Sequence, residues 1–256
     1  MILIGIAGNK GHGKDTVGSM LLDKCGFEAL AFADPIKEAV KVALYMTDEQ
    51  VYGTQAQKEA IDPRYGFSPR HAMQTLGTEW GRDLLREDIW PTVLWARIDR
   101  LKAEGFTKFC ITDVRFPNEA KEIRDRGGVI VKVIRPGVET DAHSEHVSEA
   151  LIDTIVPDYV IHNDGNLGDL AGKVYAFWTE FLRAEVSRKA REIVAKRSTV
   201  TPEALKEAME SLVSQHGPGQ VTVDKVEFVS PDKFNVTLTM PRHLAEQFHP
   251  DNDNDI

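Results

Sequence analysis

A chain of 256 residues that is 42% hydrophobic and 28% charged has ordinary globular composition. That composition excludes collagen-like, disordered and small disulfide-rich classes, and the chain is long enough to bury about three-quarters of its unfolded surface without a disulfide or metal staple. No apolar run reaches the length of a membrane-spanning helix, about 18 residues, and the apolar start Met1–Ala7 lacks the basic leader and length of a signal peptide.

Net charge is −9, and it is uneven: residues 199–256 hold ten acidic side chains against four basic ones. An acidic chain without a basic stripe is a poor binder of duplex nucleic acid, so no nucleic-acid or membrane partner is expected. A few clustered Lys and Arg still suffice for a small phosphorylated ligand. Cys25 and Cys110 stand outside any C-x-x-C or His-rich context, so they are expected to be reduced thiols of a cytoplasmic protein.

In chain order, the hydrophobic pattern predicts strands at Ile2–Ala7, Ala29–Ala33, Phe109–Val114, Val129–Ile134 and Tyr159–His162. Helical periodicity occupies 14–24, 35–46, 69–86, 92–104, 117–126 and 168–196. Buried runs separated by helices of this length imply βαβ units, hence an α/β fold with a mainly parallel five-stranded sheet. Such sheets bind ligands beyond the carboxyl ends of their strands. Thr47–Pro69 has no clean period and carries Lys58, Arg64 and, just beyond it, Arg70; it reads as a functional lid within an insertion of about 47–90.

The last fifth changes character. Thr201-Pro202-Glu203 is a helix start, and the helix runs to about Ser214 with Leu205, Met209, Leu212 and Val213 buried. Two alternating segments, Val221–Val229 and Phe234–Met240, joined at Ser230–Lys233, read as a β-hairpin. A boundary near 197–200 divides a main domain, 1–198, from a small α+β module, 199–249, and 250–256 is expected to be a disordered acidic tail. An exposed hairpin edge can pair with another chain, so a homodimer is one expectation.

The strongest local signal is Gly8-Asn-Lys-Gly-His-Gly-Lys-Asp-Thr16, which follows a strand and opens a helix. Glycines let backbone N–H groups turn inward around an anion, the helix N-terminus adds partial positive charge, and Lys14 can reach phosphates. Asp15 stands where a Ser or Thr usually meets Mg²⁺; a carboxylate there can hold magnesium directly or through water, and Thr16 can meet a phosphate. Phe109–Asp113 is an apolar strand ending in an acid, so Asp113 is a second candidate for positioning magnesium or activating an oxygen. His143–Glu149 has no convincing ligand set and reads as a capping loop.

Further motifs, Ser68–Arg82, Asp88-Ile-Trp90 and Thr112–Glu119, together with the Gly-Lys-Asp-Thr loop, make residues 1–180 similar to the bacteriophage deoxynucleoside monophosphate kinases. The resemblance implies a P-loop three-layer α/β/α fold, ATP with Mg²⁺ as donor and a deoxynucleoside monophosphate as acceptor. It places Gly11, Gly13, Lys14, Asp15 and Thr16 at the ATP phosphates. It places Lys10, Lys37, Arg70, Gln74, Gly77, Thr78 and Trp90 on the acceptor side, with Asp113, Arg115 and Glu119 after the third strand. Lys14, Arg70, Asp113 and Arg115 are the expected catalytic set, with Asp15 and Asp113 at the metal. Bottom-up chemistry agrees, because transfer between two phosphorylated molecules is mostly positioning and charge neutralisation by Mg²⁺, Lys and Arg. Three points stay open at this stage. Arg82 can be a ligand or a solvated surface charge. Trp80 and Trp90 can stack on a base or lie in the core. The reaction can be ordinary acceptor phosphorylation, phosphorylation of a modified-base nucleotide, acceptor-free NTP hydrolysis, or nucleotide binding without turnover.

Overall fold

A computed structural model describes residues 1–138, 151–196, 201–216, 222–230 and 233–239. The capping loop expected at His143–Glu149, the boundary at 197–200, the hairpin joint at Pro231-Asp232 and the acidic tail lie outside the described residues.

Strand β1 (Ile2–Ala7) is buried at every position, which is why it reads as one apolar run rather than an alternating one. It is the central strand of a sheet ordered β2 (Glu28–Leu30), β3 (Lys108–Val114), β1, β4 (Val129–Ile134), β5 (Tyr159–His162). Every neighbouring pair is parallel, so this sheet is wholly rather than mainly parallel. Side-chain alternation along β1 feeds two cores. Ile2, Ile4 and Ile6 pack with Val17 and Leu21 of α1 (Lys14–Cys25) and with Val174 and Trp178 of α8 (Leu167–Lys196). Leu3 and Ala7 face the other way. They pack with Ile36 of α2 (Asp34–Leu44), Leu94 and Ile98 of α6 (Ile89–Ala103), and Ile123 of α7 (Pro117–Asp125). The result is the expected three-layer α/β/α arrangement. Cys25 and Cys110 are free and buried, and burial pushes both thiols up to about 12, so they behave as core residues.

Two boundaries depart from the sequence reading for visible reasons. The second strand stops at Leu30 rather than Ala33, because the next three backbone N–H groups leave the ladder. Ala31 donates to Asp34 Oδ2, and Phe32 and Ala33 donate to the Asp113 carboxylate. The helical stretch 69–86 is not one α-helix: α5 (Pro69–Thr75) passes into a π-helix, Leu76–Leu85.

Residues 47–68, aperiodic in sequence, are ordered by local capping. Thr47 with Gln50 and Thr54 with Gln57 form capping boxes that start the short helices α3 (Asp48–Tyr52) and α4 (Gln55–Glu59). Asp62 is buried and accepts hydrogen bonds from Gln50 Nε2 (2.7 Å), the Arg64 amide (2.9 Å) and the Arg64 guanidinium (2.7 Å). Those partners hold its carboxyl well below the usual carboxylate range.

Beyond the sheet, α8 continues outward for a total of 30 residues. Its distal positions Leu182, Val186 and Ala190 join Leu205, Met209 and Val213 of α9 (Pro202–His216) and Val223, Val226 and Leu238 of a hairpin in a third core. The hairpin strands β6 (Thr222–Ser230) and β7 (Lys233–Thr239) are antiparallel. Val223 and Val226 are three apart yet both buried. The register slips by one residue between Val223 and Lys225, and this bulge returns Val226 to the inner face.

Candidate active site

The sheet topology places the site. In the order β2-β3-β1-β4-β5 the chain leaves β1 toward one edge and later crosses to the other, so a crevice opens beyond the carboxyl ends of β1 and β3. The register sets Ala7 opposite Val114, so the loop after β1 and Arg115 leave the sheet side by side. A cavity of about 400 Å³ occupies this crevice, with the insertion 47–85 as its far wall.

The glycine loop forms the near wall. Gly8, Gly11 and Gly13 all have positive φ (151°, 79° and 94°), the alternation that turns successive amides toward one side. Gly13 is doubly required: it caps α1 in a left-handed conformation, and a Cβ there would lie 2.6 Å from Asn163 Nδ2. That amide, beyond the end of β5, donates to the His12 carbonyl (3.0 Å), while His12 Nδ1 sits 3.2 Å from the Val133 carbonyl. The loop is therefore braced from β4 and β5, a contact no local pattern announces. Lys10, Gly11, Lys14 and Asp15 line the cavity; Gly13 and Thr16 do not.

The end of β3 forms the floor. Asp113 Oδ1 accepts from the Phe32 amide (2.7 Å) and Oδ2 from the Ala33 amide (2.9 Å), so this carboxylate fastens the β2–α2 loop to the sheet. Burial pushes its pKa up, against Arg115, the two amides and Lys37. Glu119 is 2% exposed; one oxygen is paired with Arg82 and the other accepts from the amides of Arg115 (2.8 Å) and Phe116 (3.1 Å). Burial and the neighbouring Asp113 raise Glu119 to about 7, opposed by those amides and by Arg82. The Arg82 guanidinium also lies over the Phe116 ring at 3.8 Å and donates to the Glu87 carbonyl (3.1 Å). Both carboxylates placed by sequence toward substrate or metal are thus engaged in holding backbone and Arg82. Arg82 itself is a buried ion-pair partner in the cavity wall, not a solvated charge.

The insertion supplies the far wall. Lys37 of α2, and Arg70 and Gln74 of α5, line the cavity, as do Gly77 and Thr78 of the π-helix. Arg70 Nη2 donates to Gln55 Oε1 (3.2 Å), and its Nε lies 3.4 Å from Glu59, which ties α5 to α4. Trp90 is buried and reaches the cavity wall, but its indole N–H donates to the Gly77 carbonyl (2.6 Å). A Cβ on Gly81 would fall 2.5 Å from the same ring. The indole therefore wedges against two glycines four apart, and the wide helical turn there accommodates it. Of the two readings open for Trp90, the geometry gives a buried prop of the π-helix whose ring edge meets the cavity. Trp80 is 45% exposed and outside the cavity wall. Of the lid cations, Lys58 lines the cavity, whereas Arg64 is turned away onto Asp62.

Sequence reasoning thus brought thirteen of its site positions to one cavity: Lys10, Gly11, Lys14, Asp15, Lys37, Arg70, Gln74, Gly77, Thr78, Trp90, Asp113, Arg115 and Glu119. It left Arg82 undecided and Lys58 unplaced, although the basic cluster of the insertion pointed toward the latter.

Comparisons with known proteins point to one family. The family model for deoxynucleotide monophosphate kinase matches residues 2–65 and 54–174. A relative from Acanthamoeba polyphaga mimivirus, named for the same activity, is 39% identical over 186 residues, covering 68% of this chain and 94% of that protein. The deoxynucleoside-5′-monophosphate kinase of Escherichia phage T5 is 27% identical over 245 residues, covering 69% of this chain and 95% of its own length. The deoxynucleotide monophosphate kinase of Escherichia phage RB69 is 30% identical over 108 residues, covering 42% of this chain and 43% of that one.

Proposed function

The chain belongs to the deoxynucleotide monophosphate kinase family, a family of phosphotransferases, and on that premise we propose that it transfers the terminal phosphoryl group of ATP to a deoxynucleoside 5′-monophosphate. The observation that carries this reading is a single cavity with the glycine loop on one side and Lys37, Arg70 and Gln74 on the other. Two phosphorylated molecules can meet there, with cations on both flanks of the point where their charges converge.

In this reading the Gly11 backbone, the N-terminus of α1 that Gly13 caps and the Lys14 ammonium hold the donor phosphates. Lys10, Lys37 and Arg70 hold the acceptor phosphate, Arg being suited to two-pronged phosphate contact. Gln74 and Thr78 meet the acceptor nucleoside. Arg115 faces the charge that builds between donor and acceptor, held in place by Glu119 through its own amide.

Magnesium fits this donor set as an ion carried by the nucleotide. It takes one or two carboxylates, keeps several waters and draws its other oxygens from phosphates. Asp15, exposed at the cavity edge, and Asp113, each of whose oxygens already accepts one amide, are the carboxylates that would hold it. When bound, the ion neutralises phosphate charge.

We assign this activity to residues 1–198, with 199–249 as an appended module: the described residues that line the cavity all come from the first 119 positions. The phage and giant-virus relatives support a role in DNA precursor supply in the cytoplasm of a host cell. Among the described residues no helix is long and apolar enough to cross a membrane.

The test is ADP production from Mg-ATP against a panel of ribo- and deoxynucleoside monophosphates, with an acceptor-free control. Turnover that requires a deoxy acceptor is the expected result. Equal turnover without any acceptor overturns the reading in favour of NTP hydrolysis. Silence with ATP still bound overturns it for the common nucleotides and directs the panel to modified bases.

A further inference from the structure

Among the described residues that line it, the cavity is electrostatically unbalanced. Lys10, Lys14, Lys37, Lys58, Arg70, Arg82 and Arg115 line it, against Asp15, Asp113 and Glu119. Two of the three carboxylates are already engaged, Glu119 by Arg82 and backbone, Asp113 by backbone. Among the cations, Arg82 is paired with Glu119, Arg70 leans on Glu59, and Lys37 lies 3.7 Å from Asp34.

Lys58 differs from these. It is half-buried and makes no ion pair or side-chain hydrogen bond with any described residue. Its electrostatic neighbours are Lys37 and Arg70 on the acceptor side and Asp15 on the donor loop. Burial and the two like charges lower its pKa, and Asp15 opposes them. A cation held among cations away from full solvation is unfavourable unless an anion arrives.

Its placement is not accidental to a floppy side chain. Helix α4 begins at a Thr54–Gln57 capping box and is fastened to α5 by Arg70, which contacts both Gln55 and Glu59. Those two residues are four apart, on one face, and Lys58 stands beside that face and lines the cavity. The acceptor-side cation Arg70 is thus also the tie that holds Lys58 over the donor loop.

We propose that Lys58 is a further catalytic residue, a cation of the acceptor insertion that contacts the phosphoryl group in transit between donor and acceptor. The inference rests on the transfer reading above. In that step an acceptor phosphate oxygen forms a new bond to the terminal phosphorus of ATP. The bond from that phosphorus to its bridging oxygen breaks, and the electron pair stays on ADP. Lys58 remains protonated throughout and donates hydrogen bonds to an equatorial oxygen of the group in transit, where negative charge is spread. A residue that only anchored the acceptor would act on binding instead.

The experiment compares the full-length wild type with Lys58→Met, which keeps length without charge, and Lys58→Arg. Steady-state kcat and both KM values are measured with Mg-ATP and the accepted monophosphate, with thermal unfolding as a control for the fold. The expected result is a fall in kcat of about 10²-fold for Lys58→Met, KM values for both substrates close to wild type, and substantial recovery in Lys58→Arg. A rise in acceptor KM with kcat intact overturns the proposal in favour of an acceptor anchor. Turnover by Lys58→Met equal to wild type overturns it in favour of a solvated lysine. Silence of the wild type toward every monophosphate removes the transfer reading itself and this role with it, a result distinct from the other two.

Discussion

The two ends of helix α8 serve two cores built on different principles. Its first half, through Val174, Phe177 and Trp178, closes one face of a wholly parallel sheet whose strands are joined by long crossovers. Its second half, through Leu182, Val186 and Ala190, carries a helix and a local hairpin. A parallel sheet with helices on both faces leaves a crevice where its strand order reverses, and the polar residues of five different segments meet there. A hairpin on one helix pair makes no such crevice, and none of its described residues lines the cavity. The lesson is that catalytic capacity here follows topology, while the appendage is organised by packing alone.

That contrast can be broken by substitutions on either side. The largest effect is expected for Lys14→Ala, which should lower turnover by about 10³-fold with an unchanged fold by circular dichroism; near-normal activity would remove the donor assignment. Trp178→Ala comes next. This side chain is fully buried, edge-on to Phe27 at 5.2 Å and stacked with Phe181 at 5.6 Å, so loss of about 3–5 kcal/mol of unfolding stability is expected. Met209→Ala, in the third core, should cost about 2–5 kcal/mol in an unfolding step of the appendage, with kcat unchanged. A matching loss of activity would show that the two cores are not independent.

Smaller effects sharpen the account of the cavity itself. Trp90→Phe removes the bond to the Gly77 carbonyl and the indole edge that lies against Gly81, a loss of about 1–3 kcal/mol. It should raise the acceptor KM several-fold and leave the ATP KM unchanged, as steady-state kinetics can read. The smallest effect concerns the insertion. Asp62 is held below its ordinary 3.8 by Arg64, Gln50 and the Arg64 amide. Its stabilising contribution is therefore complete above that value and fades as pH falls toward its lower folded value. Asp62→Asn should be less stable than wild type at neutral pH, and the two should converge in acid, as followed by unfolding at a series of pH values.

Much of this was legible in the residues. The all-buried β1, the glycine loop behind it and the start of α1 at the Gly-Lys step are readable from the local pattern; the bracing of that loop by Asn163 and the Val133 carbonyl is not. Other features have causes far along the chain. The π-helix reads as ordinary helix because its wedge, Trp90, lies beyond its own end, and its bond partner Gly77 is thirteen positions away. Asp113 reads as a candidate metal ligand from its strand alone, and nothing near it announces that it also accepts from the amides of Phe32 and Ala33, some eighty residues earlier. Arg82 stays undecided between ligand and surface charge until Glu119 is brought to it from 37 residues away.

By itself, then, the sequence determined the α/β class and the glycine loop, because backbone periodicity and glycine conformations are local properties of the chain, while the segments that face the loop were expected only from the family resemblance. Only the tertiary structure decided which charges are engaged and which await a ligand. Ion pairing depends on distances between side chains of separate elements, and those are set when the sheet order brings β1, β3 and the insertion to one crevice.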